Sequence, residues 1–308
     1  MDNIKKLKYV FYGIVFLCLS CSKDEPLVLG SPMSISATSD SALKVRLSWD
    51  TVPNALGYRV FRADASTFGE EMNFVEIGTT EIPEFTDLGV VSNSSYYYRV
   101  EAFNGNVLSE QSDMVMGNTK FITLDESFDV LAEYTDGQRY NAESASDVPE
   151  TIIEIIRENS EIGTDLIFLI DNTSSMADDI RQVKNSINSI ISELPEGTRL
   201  GIATYNDANT TSEWYQWVNL DSNYDNAITF LNSIRVFGGG DIPESVYDGI
   251  QFTLSQMDWS SSSKRMMVVI GDAPPLEGSR SAFSLKEVID STKEFGVAVN
   301  LFPILIRD

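Results

Sequence analysis

The hydrophobic pattern of this chain changes from one period to another between its two halves, and this change limits the fold more than any other feature. From about 33 to 119, apolar residues alternate with polar ones, as Leu43, Val45 and Leu47 do. Alternation of period two places the apolar side chains on one face of a strand, and turn residues separate the short segments. This half therefore predicts an all-β sandwich.

The second half, from about 161 to 308, contains apolar runs without alternation, separated by segments of helical period. Ile180, Val183 and Ile187, for example, repeat at spacings of three and four. Strands that are apolar on both faces and interleaved with amphipathic helices predict a mostly parallel sheet covered by helices on both sides. We therefore expect a multidomain chain in which an α/β domain follows the sandwich, with ligands binding beyond the carboxyl ends of its strands.

The segment 120–160 between the two patterns is acidic and mixed. Residues 147–161 have the spacing of a helix, with Pro149 near its start and Ile152 and Ile156 on its apolar face. We interpret 120–160 as a connector with one helix that docks on the second domain.

Charge and composition limit the partners and the chemistry. The chain has 22 basic and 46 acidic residues, no histidine and a net charge of −24. This surplus of acid argues against nucleic acid or an anionic membrane surface as a partner and favours cations. The lack of histidine excludes Ser-His-Asp and Cys-His catalysis and all histidine metal sites.

The first 20 residues have the form of a signal peptide, with a basic start and an apolar run too short to span a bilayer. Ser20 before Cys21 resembles a bacterial lipobox, in which the cysteine is lipidated; an ordinary signal peptide is the alternative. Residues 22–25 resemble the export tag of surface lipoproteins in Bacteroidetes-type bacteria. These resemblances imply a lipidated tether at 21–32 and a location at the bacterial outer membrane, lipid-anchored and exposed on the cell surface.

Residues 33–119 resemble a fibronectin type III domain over nearly their whole length. The resemblance is carried by LSWDTVPNALGYRVFRA, FVEIGTTEIPEFTDLGV and SYYYRVEAFN. It implies an immunoglobulin-like sandwich with Trp49 in its core, and a Tyr96 hydroxyl that closes the corner near Leu88. We interpret this domain as a spacer.

Oxygen-bearing side chains occur in three separate segments of the second half. Asp171 ends the first apolar run and leads into a hydroxyl-rich turn, Asp272 ends a later run, and Asp241 lies in a glycine-rich loop between them. Oxygen ligands without histidine or cysteine specify a hard divalent cation. The predicted metal ligands are Asp171, Thr173, Ser175, Asp241 and Asp272.

Residues 161–308 resemble the von Willebrand factor A domain, a Rossmann-like α/β fold, and its metal-ion-dependent adhesion site. The family motif is Asp-x-Ser-x-Ser, then a threonine on a second loop, then an aspartate after a later strand. Asp171, Thr173 and Ser175 match the first part in an Asp-x-Thr-x-Ser variant, and Asp272 matches the last.

Asp241 stands where the family often has threonine. As a ligand it would make the site more negative, so that a cation would bind more tightly but would attract a partner's carboxylate less. Alternatively, Asp241 is the N-cap of a helix, in a capping box with Glu244. Both roles stay open, and they are compatible.

The resemblance implies binding rather than catalysis. We expect a divalent cation, Mg²⁺ first with Mn²⁺ and Ca²⁺ as alternatives, whose open coordination position takes an acidic side chain of a protein partner. The expected function is cation-dependent adhesion or complex assembly, with membrane contact through the N-terminal lipid only, and we expect no enzyme activity. The alternatives are a structural cell-envelope protein whose metal only stabilises the fold, and a metal-dependent hydrolase.

Members of this family usually carry a further helix, and often a further strand, after the segment that matches the end of this chain. We therefore expect the domain at 161–308 to lack its final helix. Either the sequence is a fragment or a partner covers that face. The final helix is the piece thought to move when the family's site changes affinity, so without it this switch could not operate.

Overall fold

The computed structural model describes residues 26–65, 72–208, 212–239, 243–261, 263–294 and 298–307. The first half of the chain forms the strands β1 (Ser36–Ala37), β2 (Val45–Ser48), β3 (Gly57–Asp64), β4 (Val75–Thr80), β5 (Glu84–Asp87), β6 (Ser95–Asn104), β7 (Val107–Leu108) and β8 (Val115–Asn118). The second half forms, in order, α1 (Leu124–Tyr134), β9 (Tyr140–Ala142), α2 (Val148–Asn159), β10 (Asp165–Asp171), α3 (Ala177–Ser192), β11 (Arg199–Tyr205), β12 (Tyr215–Asp221), α4 (Asp225–Ser233), α5 (Val246–Gln256), β13 (Arg265–Gly271), α6 (Leu285–Lys293) and β14 (Val299–Ile306). Short 3₁₀ turns lie at Ser174–Met176 and Gly278–Arg280.

The first eight strands form two antiparallel sheets that face each other. One has the order β1-β2-β5, and the other has the order β4-β3-β6-β7, with β8 also paired to β6. Trp49 is buried between them, with its ring edge-on to Tyr58 at 5.2 Å. The predicted all-β sandwich is confirmed. The Tyr96 hydroxyl accepts its hydrogen bond from the N–H of Val91 at 2.8 Å, three residues beyond the predicted corner at Leu88.

The second half forms one six-stranded sheet of order β12-β11-β10-β13-β14-β9. All neighbours are parallel except β12, which runs antiparallel to β11 at one edge. Alternate residues of β10 enter different cores: Phe168 packs with α2, α3 and α4, and Leu169 packs with α1, α5 and α6. The predicted mostly parallel α/β sheet, buried on both faces, is confirmed.

The interpretation of 120–160 as a mere connector is incomplete, because this segment completes the α/β domain. β9 pairs in parallel with β14 and forms the outer strand of the sheet, while α1 and α2 cover opposite faces. Gly137, between α1 and β9, lies so close to β14 that a Cβ there would stand 1.7 Å from the Leu301 carbonyl oxygen. The strand next to β14 and a helix that covers the sheet thus both come from the segment before residue 161. The expectation that the domain lacks its final helix stays a prediction.

The sandwich also packs directly on the α/β domain. Ala42 and Leu43, just before β2, are fully buried in the same core as Phe128 of α1. Lys44 forms an ion pair with Glu133 of α1 at 2.7 Å. The two halves are therefore joined by a buried apolar contact and an ion pair as well as by the chain between them.

No helix in the described part of the chain is long and apolar enough to cross a membrane. The predicted signal peptide and Cys21 lie outside the described residues.

Candidate metal centre

The candidate centre begins with Asp171, the last residue of β10. This residue is fully buried, and its Oδ1 accepts a hydrogen bond from the N–H of Thr173 at 2.8 Å. Its Oδ2 has no hydrogen-bond partner among the described residues. Because α3 begins only at Ala177 and has no side-chain cap, Asp171 does not cap that helix. The second carboxylate oxygen is left for a ligand.

The turn after Asp171 carries two hydroxyl groups side by side. The Oγ1 of Thr173 and the Oγ of Ser175 are 3.1 Å apart. Thr173 is buried and Ser175 is exposed, so the pair leads from the buried acid toward solvent. A metal at this edge would have two neutral oxygen donors next to a carboxylate.

The glycine-rich loop is fixed against the same turn. The Asn172 carbonyl accepts a hydrogen bond from the Phe237 N–H at 3.1 Å, and Asn206 donates from its side chain to the Phe237 carbonyl at 2.9 Å. Gly239 has φ +71°, and a Cβ there would lie 2.8 Å from the Cβ of Thr173. Only glycine tolerates both the backbone angle and the close approach.

Asp241 lies outside the described residues, and its role as a ligand stays a prediction. Helix α5 begins at Val246, with Ser245 as its N-cap residue. Glu244 therefore precedes the helix, and the predicted capping box between Asp241 and Glu244 is wrong.

The physical reason is a pairing with the loop that follows Asp272. The Glu244 N–H donates to the Pro274 carbonyl at 2.9 Å, and the Leu276 N–H donates to the Glu244 carbonyl at 2.7 Å. In this short parallel bridge the N–H and the carbonyl of Glu244 form hydrogen bonds to the other loop instead of hydrogen bonds within a helix. The bridge also ties the loop of Asp241 to the loop of Asp272.

The structure adds two acids that sequence reasoning missed. Asp207 and Glu244 are both buried, and Asp207 is one of the groups that raise the pKa of Glu244. Asp207 follows β11 as Asp171 ends β10, so the strand-end rule could have found it. Glu244 was interpreted as a helix cap, and only the pairing with Pro274 turns it toward the sheet edge.

Acidic groups with raised pKa values are concentrated at this edge. Burial raises the pKa of Asp171 from 3.8 to about 7; the hydrogen bond from Thr173 opposes this rise, and the charges of Asp272 and Asp207 add to it. Burial likewise raises the pKa of Glu244, helped by Asp207 and by the other acids.

Tyr205 lies under this cluster. Its hydroxyl is buried and has no hydrogen-bond partner in the part of the chain that the structure describes. Burial, together with the charges of Asp171, Glu244 and Asp272, raises its pKa well above the ordinary value. The tyrosine therefore stays neutral and adds no further negative charge to the acids around it.

These residues fit a hard divalent cation. An unpartnered carboxylate oxygen, a hydroxyl pair and a nearby aspartate are the ligand types that Mg²⁺, Mn²⁺ and Ca²⁺ take. Within the described ranges, no group of three or more acids or cysteines is placed to hold a metal by itself. Thr173 and Ser175 would therefore have to complete the ligand set.

Fold and site together define a Rossmann-like α/β domain with oxygen donors at the carboxyl edge of its sheet. Residues 165–301 match the family model described as von Willebrand factor A domain. This part of the chain is a von Willebrand factor A domain, preceded by a fibronectin type III-like all-β region.

Among curated proteins, the chain is similar to the alpha-protein kinase vwkA of Dictyostelium discoideum. The two are 25% identical over 231 residues, which cover 70% of this chain and 35% of the relative. The chain thus spans about a third of the length of the curated relative that it matches.

Among solved structures, the chain is similar to an Fn3-like protein from Clostridium thermocellum. That match has 28% identity and a TM-score of 0.25, and it covers 30% of this chain and 94% of the other. The fn3 domain of human collagen alpha-1(XX) chain matches with 24% identity and a TM-score of 0.27, covering 33% of this chain and 95% of the other.

The kinase name of the curated relative corrects one expectation. We expected no enzyme activity because the family resemblance implies binding and because the chain has no histidine. A relative that is named a protein kinase overturns this expectation. The lack of histidine excludes only catalysis of the Ser-His-Asp and Cys-His types. Phosphoryl transfer depends mainly on positioning and electrostatics and needs no histidine.

Proposed function

We propose that this protein binds a protein partner through a divalent cation at the carboxyl edge of its α/β sheet. Asp171 and Asp272 would contribute carboxylate oxygens, directly or through water, and Thr173 and Ser175 would contribute hydroxyl oxygens. Asp241 would add a further acid from the glycine-rich loop. Mg²⁺ is the proposed cation, with Mn²⁺ and Ca²⁺ as alternatives, because all the donors are hard oxygens.

The observation that carries this proposal is the unpartnered Oδ2 of buried Asp171. A buried carboxylate without a partner is costly, and the charges of Asp207 and Asp272 increase the cost. Proteins retain such an arrangement where a ligand compensates it. A cation is the ligand that compensates negative charge at oxygen donors.

The net charge of −24 determines how a partner would be recognised. An acidic group approaching this surface meets a repulsive field, so that attraction must come from the site itself. Bound there, a cation would supply an electropositive centre with a coordination position for a carboxylate. Partner binding should therefore depend strictly on the metal and should be lost in a chelator.

Calorimetric titration of the protein with Mg²⁺, Mn²⁺ and Ca²⁺ tests the site. One-site binding should occur in the wild type and disappear in Asp171→Asn and in Asp272→Asn. The matched control is Asp178→Asn, which removes an exposed carboxylate from the first turn of α3. A folded wild type without heat of binding, or equal loss in the control, would contradict the proposal.

A metal that only stabilises the fold predicts a different outcome. In that case Asp272→Ala lowers the melting temperature, and partner capture changes only through the loss of folded protein. In the binding role, Asp272→Ala abolishes metal-dependent capture of an acidic peptide while the melting temperature in chelator is retained. Both quantities can be measured on the same preparations.

A catalytic function is the second candidate, and the observation that favours it is the kinase name of the curated relative. Incubation with labelled ATP, Mg²⁺ and a generic protein substrate tests phosphoryl transfer. Label transfer by the wild type and not by Asp171→Asn would assign the activity to this edge.

We also propose that Cys21 is lipidated and that the lipid anchors the protein to the bacterial outer membrane. Metabolic labelling with a fatty-acid analogue should mark the wild type and not Cys21→Ser. Protease treatment of intact cells would report surface exposure. Label on the variant would contradict the anchor.

A further inference from the structure

Three aromatic rings meet at the edge of the α/β sheet, where β12 begins. The Trp214 ring lies 5.5 Å from the Tyr215 ring and 4.9 Å from the Phe252 ring, measured between ring centroids. Tyr215 and Phe252 are 5.5 Å apart in the same way. We call these three residues the aromatic cluster. Trp214 and Tyr215 are half-buried and Phe252 is 37% exposed, so the cluster presents ring surface to solvent.

The aromatic cluster is fixed in place by contacts between β12 and α5. The Tyr215 hydroxyl donates a hydrogen bond to the Thr253 hydroxyl at 3.1 Å, and Thr253 donates in turn to the Gly249 carbonyl at 2.7 Å. Gly249 packs tightly on the sheet, because a Cβ there would lie 2.9 Å from the Cβ of Tyr205. The rings therefore form a surface that is in place before a partner arrives.

The aromatic cluster lies in line with the candidate metal centre. Within the sheet, Asp171 is paired with Tyr205, and Tyr205 is paired with Tyr215. The three residues form one row across β10, β11 and β12. Neighbouring strands lie about 4.8 Å apart, so Tyr215 is roughly 10 Å from Asp171 across the sheet. A partner segment with one side chain at the metal would bring its neighbouring residues over the cluster.

Charge favours a basic side chain at the aromatic cluster. The chain has a net charge of −24, which attracts cations, and ring faces attract guanidinium groups. The protein itself uses such contacts: Arg62 lies over the Tyr96 ring at 5.1 Å, and Arg99 lies over the Phe74 ring at 4.6 Å. Among the described residues, the basic side chains that stack on rings do so outside the cluster. The cluster can therefore accept a cationic group from a partner.

We propose that the aromatic cluster binds an arginine side chain of the protein partner whose acidic side chain ligates the cation at the candidate centre. This inference rests on the proposed function, since it adds a specificity contact beside the same centre. An extended chain advances about 3.3 Å per residue, so a separation of roughly 10 Å corresponds to about three residues. The partner segment would carry an acidic residue and an arginine about three positions apart. Arginine fits better than lysine because its planar group stacks on rings and is more weakly hydrated.

The test measures the binding of short fluorescent peptides to the full-length protein in Mg²⁺ by fluorescence anisotropy. The probe carries one glutamate with an arginine three positions away on each side and glycines between, so that either chain direction places an arginine over the cluster. It should bind roughly two- to thirtyfold more tightly than the same peptide with leucines in place of the arginines. A chelator, or glutamine in place of the glutamate, should abolish binding.

An isomer of the probe, with both arginines next to the glutamate, controls for charge. It has the same composition and net charge as the probe, so the field of the protein attracts both equally. Only the spacing differs. The isomer should bind as weakly as the leucine peptide, since its arginines do not reach the aromatic cluster.

Two substitutions test the aromatic cluster from the side of the protein. Trp214→Leu and Phe252→Leu each remove a ring but keep an apolar side chain, and each should reduce the preference for the probe over its isomer while Mg²⁺ affinity is retained. The matched control is Trp217→Leu, which removes a tryptophan that is 40% exposed on the same strand, two residues beyond Tyr215. Its preference should stay within about twofold of that of the wild type.

Three results would overturn the inference while leaving the metal site intact. They are equal affinity for the probe and its isomer, equal or tighter binding of the leucine peptide, and an equal loss of preference in Trp217→Leu. The first would mean that net charge alone attracts the arginines, and the second would make the cluster a general apolar contact. A folded wild type that binds no Mg²⁺, or that binds Mg²⁺ but none of the peptides, would overturn the proposed function and this inference with it.

Discussion

The two ends of strand β10 carry two fully buried aspartates in opposite environments. At the amino end, Asp165 accepts hydrogen bonds from Arg199 Nε at 2.7 Å, from Arg199 Nη2 at 2.5 Å and from the Ser260 N–H at 2.6 Å. At the carboxyl end, Asp171 accepts one bond, from the Thr173 N–H, and the charges around it are negative. The strand is seven residues long, so one element contains both cases.

The difference lies in how the burial of each carboxylate is compensated. Asp165 has a bidentate arginine partner that compensates its burial. Asp171 leaves one oxygen without a partner within the described chain. A fold that can satisfy a buried aspartate at one edge of the sheet and leaves one unsatisfied at the other edge points to the carboxyl edge as the binding site.

The largest expected effect is a pH dependence that Asp171 alone confers. In the metal-free protein the pKa of Asp171 is raised from 3.8 to about 7, so between these values the folded state keeps a proton that the unfolded state releases. The free energy of unfolding should therefore fall by about 4 kcal/mol as the pH rises from about 4 to about 7. Urea unfolding in a chelator, for the wild type and for Asp171→Asn, measures this contribution as the difference between two curves.

Acids that do not interact with Asp171 are common to both proteins and cancel in that difference. The pKa of Glu244, which the charge of Asp171 helps to raise, changes together with Asp171 and belongs to the measured effect. If the wild type and Asp171→Asn showed the same dependence of unfolding free energy on pH, the burial of Asp171 would be compensated in spite of its unpartnered oxygen. The contrast with Asp165 would then disappear.

A second expectation concerns the amino edge. Asp165→Asn leaves the Arg199 guanidinium without its carboxylate and should lower the free energy of unfolding by about 3 kcal/mol. The control is Glu193→Gln, which breaks a similar two-bond pair with Arg157 on the exposed surface. Exposed pairs contribute little, so this variant should unfold close to the wild type. Equal losses in the two variants would remove the distinction between buried and exposed pairs.

A third expectation joins the two edges. At a free Mg²⁺ concentration about a hundred times the dissociation constant, the wild type should gain about 2.7 kcal/mol of stability. Asp165→Asn should gain the same increment from its lower starting point, whereas Asp171→Asn should gain none. Thermal unfolding with and without Mg²⁺ checks all three proteins. An increment in Asp171→Asn would place the metal elsewhere.

The fold class was predictable because hydrophobic period is a local property. The period-two pattern from Leu43 to Leu47 predicts a strand of the sandwich, and the unbroken apolar run at 166–170 predicts a buried strand of the parallel sheet. Strand β9 was not predictable in this way. It has three residues, too few to show a period, and its place beside β14 depends on contacts far away in the chain.

The candidate site was predictable only in part, for a related reason. Asp171 and Asp272 follow long apolar strands, so that the strand-end rule brings them to one edge. Glu244 follows no strand, and the local capping rule gave it the wrong role. Its actual position comes from main-chain pairing with Pro274, which no local pattern encodes.

The smallest expected effect comes from an acid that is held by donors at the surface. At the start of α6, Glu287 accepts a hydrogen bond from the Ser284 N–H at 2.8 Å, and the Ser284 hydroxyl accepts one from the Glu287 N–H at 3.3 Å. The Ser284 hydroxyl also donates to the Glu287 carboxylate at 2.8 Å. The two bonds that the carboxylate accepts from Ser284 lower the pKa of Glu287, with the main-chain bond as the largest cause. Glu287 therefore contributes to stability at pH values above its ordinary pKa, and this contribution is lost as the pH falls through its pKa in the folded state.

Glu287→Gln should consequently cost about 0.5 kcal/mol at neutral pH and almost nothing at strongly acidic pH. The sign is opposite to that for Asp171, whose ionisation destabilises the metal-free fold as the pH rises. Unfolding curves for both variants over one pH series test the two signs together. If the free energy of unfolding changed with pH in the same direction for Glu287→Gln as for Asp171→Asn, the number of hydrogen-bond donors around a carboxylate would not decide how its ionisation affects stability. The difference between the satisfied and the unsatisfied acids of this domain would then need another cause.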